Sequence, residues 1–211
     1  MPHQSEPRFL VLHGLRLKGL AEAGPVAEGA GLGAGEAEDH LRSLAGDGLV
    51  SRRDGRVSGW SLTPDGRSEH RRLVGEELEA AGAKAVVHDA YRRFLDLNGD
   101  LLAVCTAWQL RPDGEAHVVN DHSDRDYDRE VVGRLAAVDE GARPITDDLS
   151  AQLDRYGRYA SRLGAALDRV RAGEPEWFTK PIIDSYHTVW FELHEDLLCT
   201  LGLERSAEGE G

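Results

Sequence analysis

Along the first part of the chain apolar residues recur at helical spacing. Phe9 to Leu12, followed by Leu15 and Leu17, form a stripe that predicts a first helix closed by Gly19. Ala21 to Ala30 predicts a second helix, with Pro25 near its first turn and Gly31 as a left-handed stop. A third, from about Gly33 to Ala45, places Ala37, Leu41 and Leu44 on one face. After Gly48 the period shortens. Leu49 to Arg53 and Arg56 to Leu62 predict two strands joined by Asp54-Gly55, a dipeptide suited to tight hairpin turns. Thr63 and Pro64 then predict the N-cap and first residue of a fourth helix reaching about Ala81.

Beyond Gly82 only helical periodicity is evident. Ala83 to Leu110 carries Tyr91, Phe94, Leu95, Leu101, Leu102, Cys105 and Trp108, and stops at Arg111-Pro112-Asp113-Gly114. Arg125 to Glu140 predicts another helix, Thr146 the N-cap of a long one ending near Gly173, and Pro181 to Leu201 the last. Four amphipathic segments joined by polar loops predict a helical bundle.

Helix, helix, helix, hairpin, helix is the element order of a winged helix-turn-helix. Gly48-Leu49-Val50, then Trp60-Ser61-Leu62-Thr63-Pro64 with Gly66-Arg67, resembles the wing signature of MarR-type bacterial regulators. The fold expectation is therefore mainly α. It comprises a winged helix-turn-helix with a small two-stranded β-wing over residues 1–82, an all-α helical effector and dimerisation domain over 83–204, and a disordered tail over 205–211. The resemblance implies a transcriptional regulator that grips double-stranded DNA as a homodimer and whose helical domain dimerises or senses a small-molecule effector. A second resemblance leads elsewhere. Tyr91 to Leu95 with Leu97-Asn98, and Ile183 to Asp196, are similar to a helical segment of actinobacterial regulators and of phosphoenolpyruvate-using enzymes such as pyruvate phosphate dikinase. It implies a regulatory protein-interaction module for such an enzyme.

Charge sharpens the choice between these readings. With 38 acidic against 25 basic side chains the formal net charge is −13, so the molecule as a whole repels phosphate and must bind nucleic acid through a locally basic surface. Arg52, Arg53 and Arg56 around the expected wing supply one, and Arg16, Lys18, Arg67, Arg71 and Arg72 are candidates for backbone contacts. On the third helix the candidate base-reading residues are His40, Arg42 and Ser43, beside Glu36, Glu38 and Asp39. Acids in a first helical turn complement the helix dipole, but they also favour a protein partner over DNA.

The other chemistry is sparse. His187 and His194 lie seven residues apart, nearly two helical turns, and are expected to line one polar effector cavity near Trp190. Asn98, Asp100, Thr106 and Gln109 interrupt an apolar helix and are candidates for the same cavity. Asn120 to Asp124 reads as a polar N-cap region. Cys105 and Cys199 sit in apolar runs, which speaks against a disulfide or a cysteine zinc site. No Walker loop, dinucleotide-binding glycine pattern, His-Glu-x-x-His or nucleophile elbow occurs, so no enzymatic activity, metal or cofactor is expected. Without a signal-peptide pattern or a long apolar run, the expected location is the cytoplasm, away from membranes.

Overall fold

The computed structural model describes residues 1–114 and 116–203, so the expected tail over 205–211 lies outside the described residues. The chain is mainly α, with two small antiparallel hairpins among the described residues. It divides into two compact units, drawn differently from the contiguous domains that the sequence suggests. The first comprises Met1–Val87, Ala151–Arg155 and the residues from Glu195 onward, and the second comprises His88–Ser150 and Tyr156–His194.

In the first unit the order is α1 (Pro7–Lys18), α2 (Ala23–Ala30), α3 (Ala34–Gly46), β1 (Val50–Arg53), β2 (Gly59–Leu62) and α4 (Pro64–Ala80). Local chemistry explains the boundaries. Pro7 opens α1, where a missing N–H costs nothing, and Gly31 closes α2 at φ 71°. The Thr63 hydroxyl caps α4 by accepting the Gly66 N–H at 3.0 Å, while donating to the Gly48 carbonyl at 2.8 Å. Leu12, Leu15, Val26, Leu41, Leu44, Val50, Trp60 and Leu62 close into one core.

Two glycines hold the hairpin against its neighbours. Gly59 has φ 147°, and a Cβ there would come within 3.0 Å of the Ala21 backbone, because Ala21 pairs with Trp60 through N–H···O bonds of 3.1 and 2.8 Å. A Cβ at Gly66 would overlap the Leu49 carbonyl oxygen, so only glycine lets α4 start so close to β1. The expected two-residue Asp54-Gly55 turn is corrected: Arg53 pairs with Gly59, leaving a connection from Asp54 to Ser58. The tertiary pairing at Ala21 sets that register, overriding the local turn signal.

A buried ionic network ties α1 and α4 to the two distant segments of this unit. The Arg155 side chain, 3% exposed, donates from Nε to Glu77 Oε2 at 2.8 Å, from Nη2 to Thr200 at 2.8 Å and from Nη1 to Asp196. Ser5 donates to the other oxygen of Glu77. His13 meets Asp196 through Nε2 at 3.1 Å and shares a hydrogen bond of 2.9 Å between its Nδ1 and Nε2 of His70. Burial alone would raise the Asp196 carboxyl, but Arg155 and His13 outweigh it and hold the group well below the usual carboxylate range. The backbone joins in as well, with His3 donating to the Gln152 carbonyl at 2.8 Å.

The second unit is built from α5 (Lys84–Gln109, from His88), β3 (Leu110–Asp113), β4 (Ala116–Val119), α6 (Arg125–Gln152, to Ser150), a 3-10 helix (Asp154–Arg158, from Tyr156), α7 (Tyr159–Arg171), α8 (Glu176–Thr179) and α9 (Tyr186–Leu201, to His194). Three expectations are corrected here. The half is not all-α, since β3 and β4 pair Leu110 with Val119 and Asp113 with Ala116. Thr146 is no N-cap: it is buried inside α6 and donates to the Arg143 carbonyl at 2.9 Å. The helix runs through Pro144 because its buried stripe of Val131, Leu135, Val138, Ala142, Ile145 and Leu149 continues past the proline, and that burial offsets the lost hydrogen bond. Third, the Pro181 to Leu201 segment is not one helix. Ile182 stands at φ 80°, outside helical space, and Ser185 accepts the Thr188 N–H at 3.3 Å to start α9. Arg162 on α7 grips both Asp184 (2.9 and 3.1 Å) and Glu192 (2.8 and 3.1 Å), which fixes that start.

Trp60 is 6% exposed beneath the hairpin, so Trp60→Ala is expected to destabilise the first unit by about 3–5 kcal/mol, read from denaturant unfolding. The network also carries a pH signature. Burial, then the neighbouring His13, Arg16 and Arg155, push the His70 imidazole down to about 2 from 6.5. The unfolded ring therefore binds a proton below 6.5 that the folded ring refuses, and stability falls as pH drops through that window by up to about 1.4 kcal/mol per pH unit. His70→Gln, which keeps a polar group there without a titrating ring, is expected to flatten the stability slope between pH 6.5 and 4.5 by up to one proton; an unchanged slope would refute the assignment.

Candidate functional site

The surface formed by α3 and the β1–β2 hairpin carries the residues expected to meet DNA. Leu41 and Leu44 turn inward, leaving Arg42 and Ser43 exposed and His40 half-buried. Arg42 is engaged along its own helix by Glu38 at 3.2 Å and Asp39 at 3.5 Å, and Ser43 accepts from Arg8 at 3.0 Å. On the hairpin, Arg52 lies opposite Trp60, with its guanidinium 5.6 Å from the ring centroid and bonded to Asp54 at 3.1 Å and Glu22 at 3.4 Å. Arg53 and Arg56 are exposed and form no ion pair among the described residues. Of the cations named for backbone contact, Arg16 pairs with Glu195 at 2.8 Å, Arg72 is clamped by Glu69 and Glu76, and Arg67 donates to the Leu62 carbonyl at 3.0 Å. Arg71 donates to Ser68 at 3.2 Å. Of these ion pairs those of Arg72 are the exposed ones, and exposed ion pairs are worth little in water, so a phosphate can displace them.

The expected effector residues are placed differently. Trp190 is 2% exposed, stacks on Phe94 at 4.6 Å and donates from Nε1 to Asn98 Oδ1 at 3.0 Å. His194 is buried against Phe94 (5.0 Å between ring centroids) and Tyr91 (6.3 Å). Both belong to the packed core of the second unit. His187 is half-buried, and that burial lowers its imidazole below the ordinary value. Asn98 serves as the acceptor for Trp190, while Asp100, Thr106 and Gln109 are exposed.

A cavity of about 860 Å³ opens elsewhere in the second unit, lined by Trp108, His122, Arg125, Asp128, Arg129 and Arg171 among others, but by neither His187 nor His194. Its wall depends on Asn120. This buried side chain donates to the Trp108 carbonyl at 3.1 Å and to Asp128 at 2.9 Å, and its Oδ1 accepts the His122 N–H at 3.1 Å. His122 is thereby held at φ 59°, with Nδ1 3.1 Å from Asp128 and its ring 4.4 Å from Trp108. Asp124 provides the N-cap expected of this segment by accepting the Tyr127 N–H at 3.0 Å. In the sequence Trp108 falls on an apolar helix and Asn120 to Asp124 reads as an N-cap region, and no spacing joins either to Arg125, Arg129 and Arg171 as one cavity.

Among the described residues, no group of three or more His, Cys, Asp or Glu side chains could hold a metal ion, and no helix is long and apolar enough to cross a membrane. Burial raises the Cys105 thiol to about 11 and the Cys199 thiol to about 12, which leaves both poor nucleophiles. Comparison with protein-family models, with curated proteins and with solved structures finds no match.

The two histidines are expected to separate in experiment. His194→Ala removes an aromatic-packed ring and is expected to lower the unfolding free energy by about 1–3 kcal/mol, with a smaller loss for His187→Ala. Equal losses, measured by denaturant titration, would mean that the packing around His194 has been misread.

Proposed function

We propose that the chain is a DNA-binding transcriptional regulator. In this reading residues 1–82 form a MarR-like winged helix-turn-helix in which α3 enters the major groove and the β1–β2 hairpin is the wing. The helical half dimerises the protein and senses a small molecule. The observation that carries the reading is the hairpin itself: an element order of three helices, hairpin and helix, with Ala21 paired to Trp60 and two uncompensated arginines, Arg53 and Arg56, held out on the hairpin. In a chain of net charge −13, cations placed this way are what a phosphate backbone would meet first.

A second reading rests on α3, whose exposed Glu36 and Asp39 and internally paired Arg42 favour a basic protein surface over phosphate. Its partner would be a metabolic enzyme, with phosphoenolpyruvate-using enzymes suggested by resemblance alone.

A mobility-shift assay on the DNA upstream of the protein's own gene separates the two. Binding that strengthens as salt is lowered is expected for the regulator, and its absence at low salt would sink that reading. Replacing Arg52, Arg53 and Arg56 together by alanine is expected to abolish binding with only a small loss of melting temperature, because Arg53 and Arg56 are exposed and unpaired among the described residues and Arg52 gives up only exposed ion pairs and its contact with the Trp60 ring. Unchanged affinity and salt slope in that variant would remove the hairpin from the interface.

A further inference from the structure

The cavity beside Trp108 combines three features that a structural void has no need of. Its size falls within the range of small-molecule sites. One wall is aromatic: Trp108 is backed by Phe178, with ring centroids 4.4 Å apart and planes 11° from parallel, and flanked by the His122 ring. Val132, Ala136 and Val170 continue that wall in aliphatic side chains, and Gly133 and Gly173 keep it open.

The second feature is charge. Arg125, Arg129 and Arg171 line the cavity, where Asp128 supplies the one carboxylate among the described lining residues, and that carboxylate is already committed to Asn120 and His122. Arg129 and Arg171 have partners outside the lining, Asp126 and Asp168, but these pairs are exposed on both sides and readily exchanged for another carboxylate. Arg125 forms no ion pair among the described residues. A locally cationic cavity in so acidic a molecule opposes the general charge trend of the surface.

The third feature is backbone strain. His122 is one of two non-glycine residues with positive φ among those described, and it is held there by hydrogen bonds to Asn120 and Asp128. Such a conformation persists only when its surroundings impose it, and here they fix an imidazole on the cavity wall. With Nδ1 turned to Asp128, the other ring nitrogen is left as a polar atom for a ligand.

We infer that this cavity binds an amphipathic aromatic anion, its ring lying against Trp108 and its acid group taken by Arg125, Arg129 and Arg171. Arginine suits that role because its planar fork meets a carboxylate or sulfonate with paired hydrogen bonds. The inference gives the sensing role proposed above a site and a ligand class, and rests on that role only for its regulatory consequence.

The test uses the full chain and no DNA, so it succeeds or fails independently of the operator reading. The fluorescent probe 8-anilinonaphthalene-1-sulfonate is expected to bind one molecule per chain, and 2-naphthoate to displace it roughly tenfold more effectively than 2-naphthamide. Gly133→Trp fills the cavity from a position where a Cβ meets nothing within 4 Å, and is expected to weaken probe binding roughly tenfold or more without lowering the melting temperature. Should that variant fold poorly, Ala136→Phe fills the same space. Replacing the three arginines together by glutamine is expected to erase the preference for the acid over the amide. Absence of probe binding, unchanged binding in both filled variants, or equal displacement by acid and amide in the parent would overturn the inference.

Discussion

A guanidinium almost sealed from water sets the terms for the first unit. Arg155 is stable there only because Glu77 and Asp196 neutralise it and Thr200 takes a further N–H. Each carboxylate in turn depends on the cation, and Asp196 also on His13. None of these partners tolerates the loss of another, since a buried charge left alone costs several kcal/mol, roughly 3–5 by analogy with other broken buried pairs. The helices and hairpin that present α3 to solvent are thus underpinned by residues far along the chain.

Whatever depends on local chemistry was legible in the sequence. Gly31 and the Thr63-Pro64 pair announced their helix ends because capping is decided within a turn of the chain. The buried hydrophobic faces of α1 and α3 were equally plain. What depends on tertiary company was not. The hairpin register follows from Ala21 approaching Gly59, and α6 passes Pro144 because burial continues on its far side. β3 and β4 had a signal in the stretch Asp113-Gly114-Glu115-Ala116-His117-Val118-Val119, and that signal read equally well as a helix stop. Nothing in the sequence sets Arg155 and Asp196 apart from the other charged residues, since sequence shows a charge but not its burial.

The candidate sites divide along the same line. Arginines on a hairpin are visible from composition and pattern, so the exposure of Arg53 and Arg56 was legible. The cavity draws Trp108 from α5, His122 from a loop, Arg125 and Arg129 from α6 and Arg171 from α7, and no spacing rule links them. His187 and His194 had an inviting spacing, yet His194 and its neighbour Trp190 are spent on packing against Phe94. Helical periodicity identifies a shared face but does not tell a filled interface from an empty one.

The discontinuity of the first unit bears on how the protein is made. On the ribosome, residues up to Val87 emerge well before Arg155, and Arg155 before Asp196 and Thr200. Until then the Glu77 carboxylate has no guanidinium to justify its burial, and the three helices, hairpin and α4 form an incomplete body that stays hydrated where the finished one is dry. Completion of this unit therefore waits for the late segments of the chain, and a nascent chain stalled between these points would offer a soft, protease-sensitive surface at the place where the finished unit is most tightly bonded.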